Sequence, residues 1–167
     1  MSNKKVRVGI AGAGVFGGYH AAKMIAHSEV DFVGIYDPEH PERAQELAGR
    51  CDAIAVNSRD ELIDFADALI IASPASCHGR QGLDALQHGL HVLVEKPLAT
   101  DMETARKMVA TADRDRLVLQ VGHQERFVSK AIGLFDIDET PTRILAKRTC
   151  KFQQRGTDVS VTMDLMI

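Results

Sequence analysis

Short apolar segments alternate with helix-forming segments between residues 5 and 122 of this chain. The apolar segments have the length and the β-branched content of strands, and the segments between them carry helix formers. The run "ALIIAS" at 68–73 is apolar at nearly every position, which indicates a strand covered on both faces. This alternation predicts an α/β fold, a doubly wound parallel sheet with helices on both faces. The predicted strands are 5–11, 30–37, 68–73, 91–96 and 117–122, and the predicted helices are 17–28, 41–50, 58–66, 76–89 and 100–114.

Local capping patterns set the ends of several predicted helices. Ser58 with Glu61 has the spacing of a capping box, and Thr100 with Glu103 repeats that spacing. Gly89 follows a helical pattern at the place where a left-handed residue usually ends a helix. These patterns predict helix starts near residues 58 and 100 and a helix end near residue 89.

The alternation changes after Gly122. We therefore place a domain boundary at Gly122–His123, with one domain over 1–122 and the beginning of a second over 123–167. The second stretch is too short to form a stable domain alone, so we expect an incomplete α+β domain there. The predicted order after the boundary is a helix over 123–136, a turn over 138–141 and a long strand over 142–152.

The composition argues against several classes of function. The chain has 167 residues, of which 45% are apolar, and a net charge of −3. This balance favours a soluble domain with a real core, and it argues against nucleic acid or a membrane as a partner. The most basic stretch, 147–155, is better explained as a solvated strand face than as a nucleic-acid site. No apolar stretch approaches the roughly 20 residues that a membrane-spanning helix needs.

The three cysteines, Cys51, Cys77 and Cys150, are far apart and odd in number. No Cys-x-x-Cys pair is present, so the sequence offers neither a zinc ribbon nor a dithiol motif. Reduced thiols and a cytoplasmic location are the expectation. His88 and His91 have a spacing that invites a metal site, but no carboxylate or thiolate cluster accompanies them, so we expect no metal.

The hexapeptide "GAGVFG" has the pattern G-x-G-x-x-G, formed by Gly12, Gly14 and Gly17. It follows a predicted strand and opens a predicted helix, which is the setting of a dinucleotide-binding Rossmann turn. Gly12 would allow the tight turn, Gly14 the approach of a pyrophosphate, and Gly17 close packing of helix on strand. The helix N-terminus would supply unpaired N–H groups to the phosphates. An ordinary glycine turn is the alternative.

Asp37 lies 20 residues after Gly17, at the end of the second predicted strand. A carboxylate there can accept hydrogen bonds from the adenosine ribose, and it would repel a 2′-phosphate. NAD is therefore favoured over NADP as the cofactor. The alternative is a carboxylate that only shapes the turn before Pro38.

The strand over 91–96 ends in Glu95 and Lys96, followed by Pro97. Ligands of open α/β sheets bind outside the carboxyl ends of the strands, so Lys96 points toward the predicted cofactor. A lysine in that place can hydrogen-bond a substrate hydroxyl and exchange a proton with it. The chemistry alone leaves an ordinary solvent-facing lysine equally open.

The stretch "SPASCHGRQGLDALQHGLHVLVEKPLAT", together with "GIAGAGVFG" and "VGHQERF", resembles the Gfo/Idh/MocA oxidoreductases. The resemblance implies that Lys96 touches the substrate hydroxyl and assists proton transfer, and that Glu95 lies near the nicotinamide ribose. It also implies a cis peptide bond before Pro97. The cofactor-binding residues that the motifs and the resemblance give are Gly12, Gly14, Val15, Phe16, Gly17, Asp37, Ser73, Pro74, His78, Glu95, Lys96, His123 and Arg126. A structural, hydrogen-bonding histidine stays open as the alternative for His78 and His123.

The end of the chain, "DVSVTMDLMI", resembles a family segment that continues with a histidine and an aspartate. Asp164 matches the active-site aspartate of that segment. The family is about twice this length, and its second half covers the cleft, binds substrate and makes oligomer contacts. We therefore expect a truncated chain whose residues 123–167 begin that substrate and oligomerisation domain, and whose full-length form is a homo-oligomer.

These features predict an NAD-dependent oxidoreductase. It would transfer hydride between the nicotinamide and a hydroxyl carbon of a sugar, a cyclitol or a sugar nucleotide, with Lys96 and Asp164 as catalytic residues. "VGHQERF" with "DLMI" looks most like the branch that acts on UDP-linked amino sugars. The alternative is a dinucleotide-binding module that binds NAD without turnover.

Overall fold

The computed structural model describes residues 4–145, 147, 158–160 and 162–163 of the chain. Within them, six strands form one sheet in the order β3-β2-β1-β4-β5-β6, and every pairing is parallel. The strands are β1 (Val6–Ala11), β2 (Val30–Tyr36), β3 (Ile54–Ala55), β4 (Ala68–Ile71), β5 (His91–Glu95) and β6 (Leu119–Gly122). The helices are α1 (Val15–Ala26), α2 (Pro41–Cys51), α3 (Arg59–Phe65), α4 (Ala75–Gln87), α5 (Met102–Asp115) and α6 (Gln124–Ala131), followed by a 3₁₀ helix over Leu134–Asp136.

The sheet is covered on both faces, as the sequence predicts. Along β4, Leu69 and Ile71 belong to one buried cluster and Ile70 to the other, because successive side chains of a strand point to opposite faces. One cluster joins the sheet to α3, α4 and α5, and the second joins it to α1 and α2. The α/β fold with a doubly wound parallel sheet is therefore confirmed.

The strand order places one crevice at the carboxyl edge of the sheet. β1 lies between β2 and β4, so the chain leaves β1 toward one side through α1 and later returns to its other side through α3. Such a reversal of strand order opens a gap between the loops at the carboxyl ends of the two central strands. The turns after β1 and β4 therefore face each other, with the ends of β5 and β6 beside them.

Several local predictions need correction or addition. The short edge strand Ile54–Ala55 was not predicted, because two residues carry no readable periodicity. The start of α5 is capped by Asp101, not by Thr100: the Asp101 side chain accepts a hydrogen bond from the Thr104 N–H at 2.8 Å. Thr100 and Asp101 are adjacent residues that can both cap a helix, and the helical backbone begins only after Asp101.

The segment after β6 also differs from its prediction. The single helix predicted over 123–136 is two pieces, α6 and the 3₁₀ helix, separated by Gly133 at a φ of 73°. Residues 142–145 and 147 are not in a strand, and the rest of the strand predicted over 142–152 lies outside the described residues. The capping box at Ser58 and the left-handed Gly89, with a φ of 81°, are both confirmed.

Candidate functional site

The turn after β1 requires glycine at two positions because of the chain's own packing. Gly12 has a φ of 106°, and a Cβ there would lie 2.6 Å from the main-chain atoms of Ala72 and Ser73. A Cβ on Gly17 would collide with the carbonyl oxygen of Gly12. The absence of side chains thus lets the turn after β1 approach both the first residues beyond β4 and the start of α1.

Gly14 is different, since nothing within the chain requires it. It begins α1 with a φ of −75°, and a Cβ there would meet no atom within 4 Å. No side chain caps this end of α1, and its first turn carries no acidic residue. The space beside Gly14 at the start of α1 is therefore open, with the positive end of the helix dipole behind it, an arrangement that suits a phosphate. These residues fit the pyrophosphate of a dinucleotide.

Asp37 lies directly after β2, beside the glycine turn. Its Oδ2 accepts a hydrogen bond from the Ala13 N–H at 2.7 Å, and its Oδ1 accepts from the N–H groups of Glu39 and His40 at 3.2 and 3.0 Å. The carboxylate therefore shapes its own turn and also joins that turn to the glycine turn. Oδ2 keeps acceptor capacity toward the crevice. Asp37 lies at the end of β2, as predicted, and its contact with the ribose stays a prediction.

The turn after β4 holds Ser73 and Pro74, and Pro74 immediately precedes α4. The Ser73 hydroxyl donates to Gln81 Oε1 at 2.6 Å. His78 is only 2% exposed, and its ring nitrogens lie 2.7 Å from the Pro97 carbonyl oxygen and 2.8 Å from the Ser73 carbonyl oxygen. His78 thus joins the turn after β4 to the turn after β5. Both ring nitrogens have main-chain partners, which supports the structural alternative left open for this residue.

β5 ends at the buried Glu95, and Lys96 and Pro97 follow it at the carboxyl edge of the sheet. Glu95 is 6% exposed, Lys96 is half-buried, and Pro97 is buried. The peptide bond between Lys96 and Pro97 is cis, as the resemblance implies. A half-buried lysine at the carboxyl edge of the sheet differs from the solvent-facing lysine that was the alternative.

Glu95 has a partner that sequence analysis missed. His20 Nε2, on α1, lies 2.8 Å from Glu95 Oε1. The one sequence clue was that His20 comes three residues after Gly17, so the two residues lie on the same face of the helix. That clue cannot name Glu95, because the contact depends on the order of strands in the sheet.

The remaining predicted site residues are exposed or partly exposed on α1 and at the start of α6, or they lie outside the described residues. Val15 is exposed in the first turn of α1, and Phe16 forms an edge-to-face pair with Tyr19 at a ring separation of 6.0 Å. His123 and Arg126 are exposed just after β6. Asp164 lies outside the described residues, so its catalytic role stays a prediction.

Other ligand classes find little support in the described part of the chain. No three His, Cys, Asp or Glu side chains come together there as a metal site. His88 Nδ1 donates to the Asp84 carbonyl oxygen of its own helix at 2.8 Å, whereas His91 Nδ1, at the start of β5, accepts from the N–H of Val118, just before β6, at 2.9 Å. None of the described helices is long and apolar enough to cross a membrane.

Comparison with known proteins agrees with this geometry. The chain is 37% identical over 164 residues to a UDP-N-acetylglucosamine 3-dehydrogenase of Acidithiobacillus ferrooxidans, a match that covers 97% of the chain and 51% of the relative. It is 35% identical over 123 residues to a glucose-6-phosphate 3-dehydrogenase of Bacillus subtilis, covering 74% of the chain and 35% of the relative. The chain thus spans about half, or less, of the length of these relatives.

Solved structures show the same likeness in three dimensions. The structure of the Acidithiobacillus enzyme aligns with a TM-score of 0.72 at 36% identity, over 79% of this chain and 42% of that one. The WlbA dehydrogenase of Bordetella pertussis, solved with NADH and UDP-GlcNAcA, aligns with a TM-score of 0.70 at 31% identity, over 80% and 41%. Residues 6–123 match the Gfo/Idh/MocA family, described as an oxidoreductase family with an NAD-binding Rossmann fold, and the chain belongs to that family.

Proposed function

We propose that this chain is the NAD-binding part of a dehydrogenase whose substrate is a sugar, a cyclitol or a sugar nucleotide. The observation that carries the proposal is that Lys96 is half-buried and directly follows β5, at the same carboxyl edge of the sheet as the glycine turn after β1. A dinucleotide laid across this edge, with its pyrophosphate at the start of α1, extends one nucleotide toward Asp37 and the other toward β4 and β5. The second direction leads to Lys96.

Each residue then has a defined task. The N–H groups at the start of α1 bind the pyrophosphate, and Asp37 accepts from the adenosine ribose and disfavours a 2′-phosphate. Bound NAD supplies the hydride acceptor. Lys96 hydrogen-bonds the substrate hydroxyl and assists removal of its proton as the hydride leaves the carbon, and Asp164 is the second proposed catalytic residue. This division of tasks requires no metal.

The substrate we favour is a UDP-linked amino sugar. The relative that matches almost the whole chain, at 37% identity over 97% of it, is a UDP-N-acetylglucosamine 3-dehydrogenase. The other relative acts on glucose 6-phosphate, so the family likeness alone supports a sugar-type substrate and no finer choice. Since the match covers about half of the first relative and 35% of the second, substrate specificity and the expected homo-oligomer are to be measured on the full-length protein.

Replacing Lys96 with Ala tests the proposal. We expect turnover of UDP-N-acetylglucosamine by the full-length protein to fall about 100-fold or more, with NAD affinity within about threefold of wild type, because general acid–base catalysis is lost and phosphate contacts are kept. Lys107→Ala is the matched control, since Lys107 is an exposed lysine on α5 that pairs with Glu103. Equal losses of turnover and NAD affinity in Lys96→Ala would contradict the catalytic role.

A second candidate function is NAD binding without catalysis. It is favoured by the fact that every proposed cofactor-binding residue lies between Gly12 and Arg126, on the six-stranded sheet and the turns and helices that follow its strands. NADH formation measured by absorbance with UDP-N-acetylglucosamine, glucose 6-phosphate and an inositol separates the two functions. Tight NAD binding with no NADH formed by the full-length protein would select the second.

A further inference from the structure

His20 and Glu95 form a partly buried contact between elements that are not neighbours. His20 lies in α1, which follows β1, and Glu95 is the last residue of β5, with β4 between the two strands. The separation of Nε2 and Oε1 is 2.8 Å, and the two side chains are 16% and 8% exposed. A carboxylate only accepts hydrogen bonds, so Nε2 of His20 carries the hydrogen and donates it.

The Glu95 carboxylate also lies close to Gly122 on the neighbouring strand. Gly122 is the register partner of Glu95 on β6. A Cβ added to Gly122 would lie 2.8 Å from Glu95 Oε2 and 2.9 Å from both Cδ and Oε1. No positive φ calls for glycine at this position. A methyl group at Gly122 would therefore displace the Glu95 carboxylate, which is the group that His20 contacts.

The same helix serves two ends of the crevice. The start of α1, at Gly14, faces the place of the pyrophosphate, whereas His20 lies more than one turn further along and reaches the end of β5. Glu95 is bonded directly to Lys96, so whatever fixes Glu95 also fixes the backbone that presents Lys96. A rigid helix joined at both places sets the distance between the phosphate site and the turn that carries the lysine.

We propose that His20 is a positioning residue for the nicotinamide half of the site. By holding the Glu95 carboxylate over Gly122, it sets the Glu95–Lys96–Pro97 turn at a fixed place relative to the glycine turn. The proposal rests on the proposed function, since it presumes that a dinucleotide lies along this edge. It assigns a role to two residues, His20 and Gly122, that sequence analysis left without one.

The test compares two ligands that differ in the nicotinamide half. ADP fills the adenosine and pyrophosphate positions only, whereas NAD also requires the turn after β5. In calorimetric titrations of the chain, we expect His20→Leu to weaken NAD binding about tenfold and ADP binding by less than about twofold, a difference of about 1.4 kcal/mol or less in the free energy that separates the ligands. A general loss of folding would weaken both ligands alike.

Two further variants make the result specific. His20→Gln keeps an N–H donor of similar reach, and we expect NAD affinity within about threefold of wild type. Gly122→Ala leaves His20 intact but displaces the carboxylate, so it should repeat the loss seen in His20→Leu, and it serves in its place should that variant not fold. Lys23→Leu, an exposed change one turn further along α1, is the control and should bind both ligands as wild type does.

The outcomes distinguish a failure of the positioning role from a failure of the proposed dehydrogenase function. If wild type binds NAD and both His20→Leu and Gly122→Ala leave the ratio of NAD to ADP affinity unchanged, the positioning role is wrong and the proposed function stands. Equal losses for both ligands, or no rescue by His20→Gln, would also overturn the positioning role. If wild type binds neither NAD nor ADP, the proposed function fails and this inference fails with it.

Discussion

Gly12 and Gly14 belong to one motif but are required for different reasons. A Cβ on Gly12 would strike the main chain of Ala72 and Ser73 at 2.6 Å, and the φ of 106° disfavours any side chain. A Cβ on Gly14 would strike nothing within 4 Å. The packing of the chain thus requires the first glycine, and we predict that the second is required by the phosphate that binds at the start of α1.

A pair of alanine variants separates these two requirements. We expect Gly14→Ala to keep the melting temperature within about 2 °C of wild type and to weaken NAD binding tenfold or more, because its methyl group occupies the path of the pyrophosphate. We expect Gly12→Ala to unfold well below the wild-type temperature, since the clash is with backbone. Calorimetry gives both quantities. Unchanged NAD affinity in Gly14→Ala would contradict the prediction that the pyrophosphate binds at this turn.

The residues that sequence could predict are those whose role is local. The glycine turn, the cis bond before Pro97 and the place of Asp37 all follow from short stretches with a recognisable pattern or family resemblance. His20 and Gly122 could not be predicted in this way. Their partner, Glu95, is distant in the chain and becomes a neighbour only through the strand order, which no local pattern encodes.

At the scale of elements, one predicted helix start is confirmed and another is displaced by one residue. Ser58 caps α3 by accepting from the Glu61 N–H at 3.1 Å, as its spacing predicts. At α5 the spacing of Thr100 and Glu103 fits the same motif, but Asp101 is the residue that caps. Two adjacent residues that can both cap leave the choice to the path of the backbone, so helix ends are predictable to about one residue.

One ion pair joins elements that must align for the glycine turn to form. Arg7, on β1, binds Asp67, just before β4, through Nε at 3.1 Å, Nη2 at 2.6 Å and its backbone N–H at 3.0 Å. The hydrogen bonds from the Arg7 side chain, followed by that from its backbone, hold the pKa of Asp67 well below its usual range. The pair fixes the register of the two central strands at the edge opposite the site.

Asp67→Asn should therefore lower stability in a pH-dependent way. A carboxylate whose pKa is lowered in the folded state contributes stability above its unfolded pKa of about 4, and this contribution is lost as the pH falls below that value. Because the pair is partly exposed, solvent screening keeps the effect small, and we expect a drop of roughly 2–4 °C in melting temperature at pH 7.

The pH profile is the decisive measurement for this pair. The difference between wild type and Asp67→Asn should shrink steadily below about pH 4, as the carboxyl of the wild type takes up its proton. Asp64→Asn, at an exposed carboxylate on α3, is the matched control and should show little change. A difference in melting temperature that stays constant from pH 7 to pH 3 would show that the charge of Asp67 contributes nothing.

At the scale of the whole molecule, both buried clusters lie within the sheet and its first five helices. Their fully buried members run from Val8 to Ala112, and α6 has no buried residue. Beyond the boundary, Asp158 accepts a hydrogen bond from the Ser76 N–H at 2.9 Å, at the start of α4. The boundary at Gly122–His123 stays a prediction.

A chain shortened to residues 1–123 tests that boundary. It retains every strand of the described residues and both clusters, so we expect it to melt within about 3 °C of the 167-residue chain and to bind NAD with the same affinity within about threefold. Asp158→Asn in the 167-residue chain isolates the contact with Ser76. A chain shortened to 1–117 lacks β6 and exposes the edge of β5, and it should aggregate or unfold. Loss of folding in the 1–123 chain, with Asp158→Asn stable, would mean that the residues after β6 belong to the first domain.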